Sequence, residues 1–252
     1  MSPWEAVGVF AAGIGAGTIN TIVGSGTLIT FPVLLAVGLP PVTANVSNTL
    51  GLVPGSISGA YGYRAELRGQ RDRLLRLGTA SLLGGTLGAV LLLVLPADAF
   101  QAIVPVLIGI ALLLVVLQPR LAKAVAARRS GPLRADGGVA LLLGVFATGV
   151  YGGYFGAAQG VLLLGLMGLL LNDDLQRINA TKNILATVVN GVAALIFVFQ
   201  AHIDWTAALL IAVGSALGGQ IGSRVGRRLS PTVLRGLIVV VGLTAIAKLL
   251  IG

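Results

Sequence analysis

The sequence predicts an all-α integral membrane protein built from two inverted-topology repeats, each a broken, re-entrant half-helix pair followed by three transmembrane helices. Three observations carry that expectation. Of 252 residues, 56% are hydrophobic and only 10% charged, whereas a soluble domain carries about a quarter charged residues. Apolar runs of 18 or more residues recur from end to end, and runs of that length read as membrane-spanning helices. The two halves also align without a gap at a shift of 134 residues, which sets Gly15 on Gly149, Gly26 on Gly160, Leu28 on Leu162 and Asn45 on Asn179. A Ser-x-Leu-Gly-Gly-x-x-Gly match, Ser81 to Gly88 on Ser215 to Gly222, supports the same register.

The elements follow in order. The chain reads as one transmembrane domain: repeat 1 over about 4–117, a linker over about 118–136 and repeat 2 over about 137–251. In repeat 1 the first apolar stretch runs from Trp4 to Gly38 and is punctuated around Asn20 to Gly26. Its counterpart runs from Gly138 to Leu171 and is punctuated around Tyr151 to Gly156. Each piece is then about 13–17 residues long, roughly 20–25 Å of helix, and short for a hydrocarbon core of roughly 30 Å. Three spans follow in each unit: 44–63, 74–95 and 99–117, then 178–200, 205–223 and 233–251. The opening Met-Ser-Pro-Trp-Glu lacks a basic n-region, so the first apolar run is expected to stay as a helix. Trp4 and Trp205 read as interface anchors.

Charge sets the expected topology. The formal net charge is +9, yet the basic residues crowd three segments between apolar runs, at 64–76, 118–136 and 224–230. The positive-inside rule places all three in the cytoplasm, which argues against nucleic acid and for the lipid bilayer as partner. The arginine-rich 64–76 segment aligns with 198–210, which holds no Lys or Arg. Equivalent loops of opposite bias should face opposite sides, as in an inverted repeat, with both termini outside the cytoplasm. The chain has no cysteine, which excludes thiolate metal sites and disulfides, and no cofactor or metal is expected. Homodimer formation is left open.

Intramembrane polar residues mark substrate sites, and here they gather at the two breaks and in the span after each. Asn20, Thr21, Ser25, Thr27 and Thr30 stand at the first break, followed by Asn45, Ser47, Asn48 and Thr49; Gln159 stands at the second, followed by Asn179, Thr181, Lys182, Asn183, Thr187 and Asn190. Half-helices starting at Ser25-Gly26-Thr27 and Ala158-Gln159-Gly160 would aim free N–H groups and positive dipole ends at the breaks. No Asp or Glu falls in the middle of a span. Donors, one ammonium and no carboxylate favour a small oxyanion, and the expected substrate-binding set is Asn20, Ser25, Thr27, Asn48, Gln159, Thr181, Lys182 and Asn183. Plainer readings stand beside this: close packing for Ser56, Ser58, Thr187 and Gly84-Gly85, snorkelling to the interface for Lys182, and an interfacial loop position for His202.

Several of these segments resemble the TauE/SafE family of sulfite exporters, also called the 4-toluene sulfonate uptake permease family. The resemblance is carried by Gly15, Asn20-Thr21-Ile22-Val23-Gly24-Ser25-Gly26-Thr27-Leu28, Pro32, Gly38-Leu39-Pro40-Pro41 and Asn45-x-Ser47-Asn48. It continues in Gly152-Gly153-x-Phe155-Gly156-x-x-x-Gly160, Asn179-Ala180-Thr181-Lys182-Asn183 and His202-Ile203-Asp204-Trp205. The chain departs from the family pattern where Ser25 and Thr27 interrupt the first glycine run and where Asn48-Thr49 replaces a lysine-bearing segment. The resemblance implies transport of small inorganic or organic sulfur anions (sulfite, thiosulfate, sulfonates) across the bacterial inner membrane. Alternating access around a midplane anion site is the expected mechanism and export the expected direction. An anion channel of the same fold, a proton-coupled sulfonate permease and a membrane assembly subunit remain as alternatives. With one histidine, no cysteine and no carboxylate inside a span, no enzymatic nucleophile–base or metal set can be assembled.

Overall fold

The computed structural model of the chain describes residues 1–127 and 137–225, with 236, 239, 240 and 243 beyond them. Nine helices and no strand occur among the described residues: α1 (Pro3–Ile22), α2 (Thr27–Ala36), α3 (Pro41–Gly62), α4 (Arg71–Val94), α5 (Ala97–Ala127), α6 (Gly138–Tyr154), α7 (Gln159–Leu170), α8 (Leu175–Gln200) and α9 (Trp205–Val225). All but four residues of the expected span at 233–251, the 224–230 segment past Val225 and linker residues 128–136 lie outside the described residues. Five helices are long and apolar enough to cross a bilayer: α1, α4, α5, α8 and α9. Exposed Leu83, Leu87, Val90 and Val94 along α4 and Val106, Leu113 and Val116 along α5 make apolar outer faces that lipid, and not water, can solvate. Trp4 and Trp205 are both exposed near helix starts.

Both breaks fall where punctuation placed them, but the pieces are unequal. A capping box, Ser2 with Glu5, and Pro3 at the first position start α1 almost at the chain's beginning. α1 therefore reaches 20 residues and α2 only 10, against the roughly even halves expected. At 1.5 Å per residue α2 covers about 15 Å and cannot cross the core. It is buried almost throughout, from Thr27 to Leu35. α3, at 22 residues, is as long as the crossing helices but less apolar, because it carries Asn45, Ser47, Asn48 and Thr49, all buried inside the protein. α5 runs ten residues past the expected end at 117, through Pro119 and then Leu, Ala and Lys residues that favour helix.

The two halves pack reciprocally. α1 lies along α9 as α6 lies along α4, α9 also packs on α3 as α4 does on α8, and α3 crosses α8. The Ser-x-Leu-Gly-Gly-x-x-Gly segments make these contacts possible. A Cβ on Gly84 would meet the Phe146 carbonyl at 2.3 Å, and one on the matching Gly218 would meet the Ile14 carbonyl at 2.1 Å. Small residues at such crossings let helix backbones touch, which is how membrane helices gain packing energy without a hydrophobic driving force.

Candidate functional site

Each first half-helix ends in the same way. Val23 and Gly24 N–H both donate to the Ile19 carbonyl; Phe155 and Gly156 N–H both donate to the Tyr151 carbonyl. Gly24 (φ +86°) and Gly156 (φ +77°) take the left-handed turn that follows. These equivalences lie two residues off the register that matches Asn45 with Asn179, so the duplicated unit carries a slip that an ungapped alignment cannot show.

The breaks meet. Gly160 N–H donates to the Gly24 carbonyl at 3.0 Å, and a Cβ on Gly24 would stand 2.3 Å from Gly160 Cα. Ser25 and Gln159, the chain neighbours of that glycine pair, are buried, and Ser25 Oγ and Gln159 Nε2 have no hydrogen-bond partner within the protein. Neither α2 nor α7 has a side-chain cap at its N-terminus. The α7 end has nevertheless spent Gly160 N–H on Gly24, so the two N-termini are not equivalent. Phe31, Phe100 and Phe155 wall the second break with edge-on ring contacts at centroid distances of 5.2 and 6.0 Å.

Asn48 is fully buried and links α3 to the start of α2: its Nδ2 donates to Thr27 Oγ1 at 3.3 Å, and Thr30 Oγ1 donates to its Oδ1. Asn20 and Asn190 both donate through Nδ2 to Ser56 Oγ at 3.4 Å. Lys182 is fully buried and does not snorkel. Its stem crosses the glycine contact, and its Nζ donates to the Asn20 and Thr21 carbonyls at 2.9 and 3.1 Å. Asn183 Nδ2 and Asn179 Nδ2 also donate to the Thr21 carbonyl, each at 3.4 Å. On the other side, Asn45 Nδ2 donates to the Tyr154 carbonyl at 2.9 Å. Each long helix after a break thus caps the other half's first half-helix, whose last carbonyls have no helical partner. No carboxylate is buried among the described residues.

Thr181 is brought elsewhere: its Oγ1 donates to Gln70 Oε1 at 3.0 Å. Gln70 belongs to a polar clamp between the α3–α4 loop and the start of α8. Arg73 and Arg177 both bond the Asp173 carboxylate, and Arg177 also reaches the Glu66 and Arg68 carbonyls. Sequence reasoning gave Gln70 no role, since a glutamine in an arginine-rich segment looks like a solvated loop residue. Partial burial works against the ionised form of Asp173, but the hydrogen bonds from Arg73 and Asp174 and the charges of Arg73 and Arg177 outweigh it and hold the carboxyl below its ordinary range. A lowered carboxylate pKa stabilises the fold above the unfolded value and loses that contribution as pH falls through the folded one. Asp173→Asn should therefore lower stability by about 1–2 kcal/mol at neutral pH. The gap in melting temperature from wild type should close as pH drops below about 4, and a gap that persists in acid would rule out the carboxylate charge as its cause.

A cavity of about 430 Å³ lies between α4 and α6, lined by Arg76, Thr79, Leu83, Leu142, Leu143 and Phe146. Its exposed leucines face outward, and it includes none of the residues at the breaks, which close on one another.

The family model described as "Sulfite exporter TauE/SafE" matches residues 9–249. The "Probable membrane transporter protein YfcA" of Escherichia coli K12 is 31% identical over 236 residues, covering 93% of this chain and 86% of that one. The "Probable membrane transporter protein ORF9" of Sinorhizobium sp is 29% identical over 242 residues, covering 96% and 91%. A "Probable membrane transporter protein" of Haemophilus influenzae is 28% identical, covering 96% and 92%. No solved structure matches the chain. A helical membrane architecture with two touching breaks, matched by the family model over nearly its whole length, identifies the chain as a member of the TauE/SafE family of membrane transporters.

Proposed function

We propose that the protein exports small sulfur-containing oxyanions, sulfite foremost, by alternating access around the meeting point of the two breaks. The observation that carries this reading is the pair of buried, unpartnered polar groups beside the Gly24–Gly160 contact: Ser25 Oγ and Gln159 Nε2. A buried donor left unmatched costs about 1–3 kcal/mol, a cost that an anion accepting those hydrogens would remove. Thr27 and Asn48 stand at the uncapped start of α2, where the helix dipole favours negative charge. Asn20 and Asn183 stand at the end of α1, where Lys182 Nζ holds the last carbonyls. Thr181 connects this region to the clamp on the arginine-rich side, which the positive-inside rule puts in the cytoplasm. The reciprocal pairing of α1 with α9 and α6 with α4 supports a duplicated unit, and the opposite charge bias of its equivalent loops supports inversion. Both breaks belong to one chain, so a homodimer would hold one site per subunit. An interior negative by about 100 mV drives a monovalent anion outward by about 2.3 kcal/mol, which makes export feasible without a coupled ion.

Sulfite flux in proteoliposomes, with thiosulfate and taurine as comparators and with imposed potentials and pH gradients, tests the reading. Saturable, potential-sensitive flux of a sulfur anion is expected; flux that never saturates would make the protein a channel, and no flux would remove the substrate assignment. Asn48→Ala strips the α2 start of its link to α3 and should raise the sulfite KM about tenfold. An unchanged KM would take Asn48 out of the site.

A further inference from the structure

We infer that Lys182 is the built-in cation of a carbonyl site where α1 ends, and that it positions the two breaks instead of binding the transported anion. This rests on the transport reading above only for its second half. A helix C-terminus concentrates partial negative charge on carbonyls without helical partners. Here the Asn20 and Thr21 carbonyls both accept from Lys182 Nζ, and the Thr21 oxygen is shared by three donors from α8. The Asn179 amide is held against the Thr21 carbonyl through its Nδ2, while its Oδ1 is buried and without a partner; the residue is only 7% exposed. Backbone carbonyls without helical partners at the end of a broken helix form a donor set suited to a small hard cation. Lys182 delivers a tethered ammonium into that set from the opposite repeat. With two of its hydrogens given to carbonyls, its head is fixed at the end of α1.

The tether also fixes the breaks. A Cβ on Gly160 would come within 3.0 Å of Lys182 Cδ, so the lysine stem lies over the Gly24–Gly160 contact while its head holds the end of α1. Lys182 is therefore a positioning residue, and the oxygens it occupies are a latent site for a monovalent cation.

Removing the ammonium should expose that site. Purified Lys182→Ala is expected to melt below wild type in N-methyl-D-glucamine chloride. It should regain about 5 °C or more when ammonium, sodium or potassium chloride replaces that salt at equal strength, as ligand linkage requires. Wild type should show no such selectivity. Lys182→Gln, which keeps most of the stem and loses the charge, should show the same cation-selective rise and decides the matter if the alanine variant cannot be purified. A melting temperature indifferent to cation identity in whichever variant is measured overturns the cation site. In proteoliposomes containing the small cation, the sulfite KM of the variant should stay within about threefold of wild type, whereas a tenfold rise would make the ammonium the anion's own ligand. If wild type carries no sulfur anion, the transport reading fails by itself, and the melting shifts still decide the cation site.

Discussion

Gly160→Ala is expected to abolish transport, although it adds a single methyl group. That carbon would sit 2.4 Å from Gly24 Cα, 3.0 Å from Lys182 Cδ and 3.1 Å from the Gly24 carbonyl oxygen. No flexible side chain can absorb the first and last of these contacts, since both are backbone. The breaks must separate, and the 3.0 Å hydrogen bond from Gly160 N–H to the Gly24 carbonyl breaks with them. Overpacking costs about 1–3 kcal/mol, and a buried donor and acceptor left unmatched add a comparable amount. Gly165, in the same short helix, has open space where its Cβ would go, so Gly165→Ala should keep flux within about twofold of wild type. Flux and melting temperature measured for both variants separate a local effect from general intolerance of α7. A folded, fully active Gly160→Ala protein would show that the breaks need not touch, and the site at their meeting point would fall with that result.

Much of the fold was legible because membrane helices announce themselves by length and apolarity. The breaks were legible because Gly24, Gly26 and Gly156 punctuate runs otherwise fit to continue as helix, although Gly152 and Gly153 lie within α6. The unequal lengths of α1 and α2 were less so: hydropathy sees one apolar run, while the stop is set by the positive φ at Gly24. Which residues would be polar and buried could be read from composition; which atoms they would bond could not. Lys182 reaches Asn20 and Thr21 across 162 and 161 residues, and nothing in the Ala-Thr-Lys-Asn segment says that its ammonium closes a helix end. Thr181, next to it, points instead to Gln70, because neighbouring residues on a helix face different directions. Some pairs at the breaks, such as Asn48 with Thr27, stay within one half, but those of Lys182, Asn179, Asn183 and Asn45 cross to the other, where only tertiary packing supplies the partner.

Gly84→Ala and Gly218→Ala should destabilise the protein by similar amounts. The first puts a carbon 2.3 Å from the Phe146 carbonyl and 3.0 Å from Val150 N; the second puts one 2.1 Å from the Ile14 carbonyl and 2.8 Å from Thr18 N. Both clashes are with helix backbone. Relief therefore requires α4 to back away from α6, or α9 from α1, along contacts that run most of a helix length. Each variant should lose about 2–3 kcal/mol, read as a lower melting temperature in detergent or nanodiscs. Gly109, on α5, has nothing within 4 Å of its missing Cβ, and Gly109→Ala should be neutral or slightly stabilising, by up to about 1 kcal/mol from helix propensity. Equality between Gly84 and Gly218 is the informative part. Two glycines in unrelated surroundings would have no reason to agree, whereas two copies of one packing device do the same work in each half. A large loss at one with tolerance at the other would mean that the duplicated sequence no longer does the same structural job. Equal losses would extend the match from letters to energetics and support the pseudo-symmetry on which alternating access by one half against the other depends.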